Sequence, residues 1–259
     1  AVDVFWDGSI KPIIKKLDTL VGTTVKRCHI DSYEVGTTNW TSNFGEAFKR
    51  LRSYDCRSYL LALAGYYVES GEETERFLWD FRRTIGDLIA ENYYGRFAEL
   101  SHKNNMLLSI EPYWGPFDNM QVGEKADMVV SEFWSGSLAF FDSPKFVASI
   151  AKLNGNPIAE AESFTGMGGW DQHPSTLKAM GDLAWAQGIN RFVFHSYVHQ
   201  PWDVGPGLTL QVFGTDFNRL NTWWNQSKPF VDYISRGQFL LQQGTSVADV
   251  LVFTGEASP

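Results

Sequence analysis

The chain reads as an α/β protein of the (β/α)8-barrel type, incomplete, holding about strands four to eight of such a barrel. Three observations predict this. Five short β-compatible runs alternate with helical stretches. Each run delivers polar and aromatic residues at its C-terminal end, which is where βα-loops build the site of a barrel. No Gly-x-Gly-x-x-Gly turn or P-loop follows any run, which argues against a doubly wound sheet.

In chain order, Val2–Lys16 reads as a connection carrying a helix. Thr24–Asp31 (TVKRCHID) alternates apolar and polar residues and leads into Ser32-Tyr33-Glu34. Glu73–Lys103 has long amphipathic periodicity. Met106–Ile110 (MLLSI) leads into Glu111-Pro112-Tyr113-Trp114-Gly115, and residues 126–131 (ADMVVS) into Glu132-Phe133-Trp134. Ser143–Leu153 is a helix stopped by Asn154-Gly155. Pro157–Ala161 (PIAEA) leads into Glu162-Ser163-Phe164-Thr165-Gly166, and Pro174–Gln187 is a helix stopped by Gly188. Arg191–Phe194 (RFVF) leads into His195-Ser196-Tyr197-Val198-His199-Gln200. Gly214–Gly244 reads as the closing helix and Val247–Phe253 as a strand. The expected division is therefore 1–245 for the partial barrel and 246–259 for the start of a following β-domain. With three strands unaccounted for and no initiator Met, the sequence predicts a segment of a longer protein, inactive or unstable alone, with a broken sheet edge prone to aggregation.

Composition sets the function classes. The 259 residues are 44% hydrophobic and 20% charged, ample for a core and unlike a disordered chain. Thirty acidic against 22 basic side chains leave a net charge of -8, which repels polyphosphate, so nucleic acid is not an expected partner. No run of about 18 apolar residues is present, so no membrane insertion is expected. Two cysteines, Cys28 and Cys56, fit neither a zinc site nor a disulfide framework. Aromatics reach 15%, many beside Gly, Pro and acidic residues, a pattern that suits a site whose rings face the C–H surfaces of sugars.

The recurring strand-end residue is glutamate: Glu34, Glu111, Glu132 and Glu162. Strand alternation puts Glu160 on the face of Glu162, with Glu160 the member read as structural. Carboxylates facing one another push their pKa values apart, as separate acid and base roles require, and glycoside hydrolysis uses such a pair. His195 and His199 lack the HExxH pattern, which disfavours zinc catalysis; His195 suits a hydrogen bond to a ligand hydroxyl. Serine-hydrolase chemistry lacks its Gly-x-Ser-x-Gly turn. Asp203 and Asp216 add hard oxygen donors, but no spacing specifies calcium.

The block His195–Trp202, with Pro206-Gly207-Leu208-Thr209, Gly214, Phe217-Asn218-Arg219 and Thr222-Trp223-Trp224, resembles the α-L-rhamnosidases of glycoside hydrolase family 106. Tyr54-Asp55, Tyr59-Leu60, Arg76–Phe81, Glu111–Gly115 and Ala161–Thr165 agree with it, so the resemblance covers about residues 20 to 255. It implies an inverting enzyme with calcium at the sugar site, removing terminal α-L-rhamnose from plant polysaccharides or rhamnosides; a polysaccharide substrate favours a periplasmic or secreted location, which the sequence itself leaves open. It implies Glu34 as general acid and Glu162 as general base, on strands four and seven. Glu132, Glu111, Trp114, Trp134, His195, His199 and Trp202 are then substrate-binding candidates, and the metal ligands stay open. A retaining barrel glycosidase and a non-catalytic carbohydrate-binding fragment are the alternatives.

Overall fold

The computed structural model describes residues 1–36, 38–138, 143–205, 207, 209–210 and 212–255. Pro206 and Leu208 of the motif block, and residues 256–259 of the expected β-domain, lie outside the described residues. Five strands form one sheet: β1 (Arg27–Ile30), β2 (Leu107–Ile110), β3 (Met128–Trp134), β4 (Glu160–Thr165) and β5 (Arg191–Phe194), ordered β1-β2-β3-β4-β5. The β2–β3, β3–β4 and β4–β5 pairs are parallel. All five expected strands exist. Two shift toward their C-terminal ends: β3 extends through Trp134, and β4 starts only at Glu160. Pro157 has no N–H for a ladder, and the Asn156 side chain takes the Ile158 N–H at 2.9 Å, which holds the entry to β4 as a turn. Sequential order without a reversal is unlike a doubly wound sheet.

The chain divides into two compact units: Ala1–Leu108 with Pro112–Asp127 and Val252–Pro259, and Ser109–Glu111 with Met128–Leu251. The first is mainly helical. The expected N-terminal helix is α1 (Val2–Phe5), a π-turn at Trp6–Ile10 and α2 (Lys11–Leu17). Two elements without a sequence expectation follow, α3 (Phe44–Arg52) and a 3-10 helix at Cys56–Ala64. The long periodic stretch is α4 (Gly71–Ile89), a π-turn at Ala90–Gly95 and α5 (Arg96–His102). Its start is set by Ser70, whose hydroxyl accepts the Glu73 N–H at 3.1 Å. The apolar stripe of α4 closes a core of Phe44, Phe48, Cys56, Phe77, Phe81 and Ile85. Neither cysteine forms a disulfide. The short helix α6 (Asn119–Gly123) begins on Asp118, whose carboxylate accepts the Gln121 N–H at 2.8 Å.

In the second unit, α7 (Ser143–Leu153) follows β3 and α8 (Pro174–Gln187) follows β4, both with the expected bounds. Their stops are Gly155 at φ 69° and Gly188 at φ 107°. Gly188 also admits close packing, since a Cβ there would stand 2.9 Å from the Ala148 Cβ. Helices and sheet share an aromatic layer in which Trp185 stacks on Phe192 at 5.6 Å and Phe133 meets Phe192 at 5.3 Å. The closing helix is shorter than expected. Only α9 (Lys228–Leu241) is α-helical, after a 3-10 turn at Trp224–Gln226, because Pro229 fits a first turn and not a helix interior. Residues 214–223 instead run irregularly over the ends of β4 and β5.

The edge of β5 is not bare. Gln238 of α9 accepts the Phe192 N–H at 2.7 Å, and Gln242, one turn on, donates to the Asn190 carbonyl at 2.7 Å. The expected strand at Val247–Phe253 is not formed; among the described residues no strand edge takes up its backbone groups, and Val247 and Phe253 are 85% and 83% exposed. Replacing Gln238 by Ala removes the Phe192 acceptor and is expected to lower unfolding stability by about 1 kcal/mol in a urea titration. An unchanged midpoint would show that water serves Phe192 equally well.

Candidate active site

In parallel strands, residues paired in register present side chains to the same face. Glu132 pairs with Glu162, Val130 with Glu160, and Glu160 and Glu162 with Arg191 and Val193. These residues occupy the face opposite the Phe133–Phe192–Trp185 layer, so the helices cover one face and the carboxylates stand on the other. Glu160 lies deepest of the two on β4, 2% exposed and bonded to Arg191 at 2.7 Å. That pairing agrees with its reading as structural.

A bulge adjusts the last two positions. The register shifts between Phe133 and Trp134, so that Trp134 opposes Thr165, and Phe164 takes φ 69°. Phe164 thereby turns into the aromatic layer, 5.0 Å from Phe133, while Thr165 returns to the face of Glu162. Regular alternation would have put Thr165 on the opposite face. The Thr165 hydroxyl donates to Glu162 Oε1 at 2.5 Å, and the Trp134 indole N–H donates to Glu132 Oε1. Ser143, the first residue of α7, holds Glu132 through the backbone, accepting from its N–H at 3.1 Å and donating to its carbonyl at 2.8 Å.

His195 approaches Glu162 from the end of β5, with Nδ1 3.6 Å from Oε1. Backbone bonds fix it on both sides: its N–H donates to Ser163 at 2.9 Å, and its carbonyl accepts from Thr215 at 2.7 Å. Nδ1 is buried without a hydrogen-bond partner, beneath Gly214. Gly214 has φ 89°, and a Cβ on it would stand 2.8 Å from that nitrogen. The structure therefore sets one nitrogen of His195 toward a carboxylate, where the sequence pointed to a ligand hydroxyl. The Glu162 carboxylate is held at Oε1 by Thr165 and approached there by His195, and among the described residues Oε2 accepts no hydrogen bond.

The other expected residues fall as follows. Glu111, just past β2, is 2% exposed, and one of its carboxylate oxygens lies within 4.8 Å of one from Glu162. Glu132 is 9% exposed, Trp134 meets Phe213 edge-on at 6.1 Å, His199 is exposed, and Trp202 is 66% exposed. Of the two aspartates, Asp203 is exposed and Asp216 is buried. Glu34 and Trp114 belong to the other unit. Glu34 is exposed and accepts from Ser32 at 2.5 Å; Trp114, at φ 65° and half-exposed, packs on Tyr113 at 5.1 Å. In the second unit the structure thus gathers Glu111, Glu132, Glu162, Trp134 and His195, and it adds Thr165, Ser143 and Gly214, to which the sequence alone assigns no role. Thr165 lies inside the quoted Glu-Ser-Phe-Thr motif, but a bulge leaves no mark in the periodicity. Glu111 sets a second carboxylate oxygen beside that of Glu162, the hard-oxygen chemistry that calcium prefers, so these two residues could hold such an ion.

A family model described as alpha-L-rhamnosidase, glycoside hydrolase family 106, matches residues 1–259. A protein from Formosa agariphila named "Putative beta-glucuronidase" is 70% identical over all 259 residues, which make up 22% of its length. The solved rhamnosidase of Novosphingobium sp. PP1Y is 40% identical and superimposes with a TM-score of 0.80 over 89% of this chain and 23% of that one. The chain thus spans less than a quarter of either relative.

Two substitutions test the site. Gly214→Ala forces a side chain into a positive-φ position against His195, and is expected to cost about 1–3 kcal/mol of stability in thermal unfolding. Full stability would mean that His195 moves freely. Asp216 is 4% exposed, and among the described residues its carboxylate has no hydrogen-bond donor; burial raises its pKa above the ordinary aspartate value. The native state therefore binds that proton more readily than the unfolded chain, so stability falls as pH rises from the ordinary aspartate value through the raised one. Asp216→Asn is expected to be more stable than wild type at pH 7, with the gap closing in acid below the ordinary value. Melts across pH with no such convergence would refute this.

Proposed function

The chain belongs to glycoside hydrolase family 106, and from that premise we propose that it forms part of a (β/α)8 catalytic barrel that removes terminal α-L-rhamnose from plant polysaccharides or rhamnosides with inversion. The sequential parallel strand order supports the barrel, as do helices on one face and carboxylates on the other. The observation that carries the catalytic reading is Glu162. It is a partly buried carboxylate anchored through Oε1 by Thr165, with its other oxygen available to a water.

In this reading Glu34 gives its proton to the departing glycosidic oxygen as the C1–O bond breaks. Glu162 takes a proton from the water that attacks C1 on the opposite face of the ring. The transition state has oxocarbenium character, and the products are rhamnose of inverted anomeric configuration and the free alcohol. Inversion needs room for that water, with carboxyl groups roughly 6.5 to 9.5 Å apart, against roughly 5 to 5.5 Å in a retaining enzyme. Glu132, held by Trp134 and Ser143, accepts hydrogen bonds from sugar hydroxyls, and Trp114, Trp134 and Trp202 offer ring faces. His195 orients Glu162, and His199 stands exposed beyond it. Glu111, whose carboxylate lies beside that of Glu162, would hold a calcium ion, which would orient sugar hydroxyls and offset the acidic charge.

The name carried by the Formosa relative supplies a second reading, β-glucuronide hydrolysis. One assay of the full-length protein separates them. Wild type is expected to release the alcohol from an aryl α-L-rhamnoside and not from an aryl β-D-glucuronide, with proton NMR showing the inverted anomer first. A chelator should weaken turnover. Glu162→Gln should lower kcat by about 10²–10⁴-fold with KM little changed. Turnover confined to the glucuronide, or an undiminished Glu162→Gln variant, would overturn the proposal.

A further inference from the structure

We propose that Arg219 is a positioning residue for Trp202, and that Trp202 is the stacking surface for the leaving-group ring of the substrate. The proposal rests on the glycosidase reading above and adds to it a determinant of what is attached to the sugar.

The segment after β5 leaves the site at His195 and returns at Thr215, where paired backbone bonds close its base: Ser196 N–H to Thr215 at 2.9 Å and Thr215 N–H to His195 at 2.7 Å. The returning chain is then fixed in the core, with Phe217 stacked on Phe194 at 4.6 Å and Phe217 and Asn218 each 1% exposed. Arg219 is the next residue. From this anchored base its guanidinium donates to the Gln200 carbonyl at 3.2 Å and to the Trp202 carbonyl at 2.5 Å. One planar, always charged side chain therefore spans two carbonyls, a geometry that the single ammonium of lysine does not reproduce.

What the clamp holds is an indole that is 66% exposed and that, among the described residues, packs on no other aromatic ring. Its backbone is fixed while its ring stays open. Phe213, before the closing base, meets Trp134 edge-on, and Trp134 is bonded to Glu132. The segment is thus tied to the carboxylate site at both ends and carries its free ring between them, beyond His195 along the chain from the groups that would surround the rhamnose. A flat apolar ring in that position favours an aromatic or sugar ring across the scissile bond over the rhamnose itself.

The test uses the full-length protein and two substrates: an aryl α-L-rhamnoside, whose leaving group can stack, and methyl α-L-rhamnoside, whose leaving group cannot. Arg219→Ala is expected to raise KM for the aryl substrate by about 5–10-fold with kcat within two-fold, and to leave both constants for the methyl substrate unchanged. Arg219→Lys should give an intermediate KM. Trp202→Ala should raise the aryl KM to a similar degree and Trp202→Phe should not. Adding Arg219→Ala to Trp202→Ala should have no further effect, as for two residues acting as one unit. If Arg219→Ala does not fold, the Trp202→Ala and Trp202→Phe pair decides. Equal effects on both substrates, additive losses, or an unchanged aryl KM would overturn the proposal. If wild type turns over neither rhamnoside, the glycosidase reading falls and this inference with it; normal turnover without the split removes this inference alone.

Discussion

The pairing of β3 with β4 is the constraint on which the rest of the second unit depends. Because Glu132 and Glu162 are register partners, their carboxylates must share a face, and because the strands are parallel, that face is the same one for Arg191 and Val193. A one-residue slip of either strand would send its glutamate into the aromatic layer around Phe133 and Phe192, where a charged carboxylate would be costly. The packing of Trp185 and Phe192 therefore specifies the chemistry of the opposite face as much as any polar contact does. The bulge at Phe164 then departs from strict alternation at one place only, and the departure delivers the Thr165 hydroxyl to Glu162.

Local chemistry explains how the remaining groups are held. The carboxylates are fixed acceptors because each has a short-range donor: the indole of Trp134 on Glu132, the hydroxyl of Thr165 on Glu162, the guanidinium of Arg191 on Glu160. Asp216 is the contrast, buried and without a donor among the described residues, and it is the carboxyl that burial alone shifts. The same rule of satisfaction separates a structural acid from a chemically available one. Glu160 is paired with Arg191 at depth, whereas among the described residues Oε2 of Glu162 accepts no hydrogen bond.

Much of this was legible in the sequence because it rests on local signals. Helices α7 and α8 begin at Ser143 and Pro174 and end before Gly155 and Gly188, where a left-handed residue is needed, and their bounds were readable. The five strands announced themselves by short apolar runs. Their boundaries did not: Asn156 and Pro157 delay β4, and the carboxylates expected just beyond β3 and β4 sit within them. The interruption of 214–227, the short α9 and the absent strand at Val247–Phe253 depend on which edges and faces lie nearby in space, and apolar spacing carries no such information. For the site, residue types were readable and partners were not. His195 was recognisable as a strand-end histidine, but its buried nitrogen beneath Gly214 follows from a backbone bridge between residues twenty positions apart.

The glutamine pair on α9 has a consequence for motion. Along β5 the amides alternate in what they report. Those of Arg191 and His195 donate to carbonyls of Ala159 and Ser163 and are protected by the sheet itself. The amide of Phe192, between them, donates to a side chain and is released whenever the last turns of α9 fray or the Gln238 rotamer flips. Deuterium uptake along a four-residue strand should therefore split into two classes, one following opening of the β4–β5 ladder and the other following the C-terminal helix. A single strand then serves as a clock for two different openings.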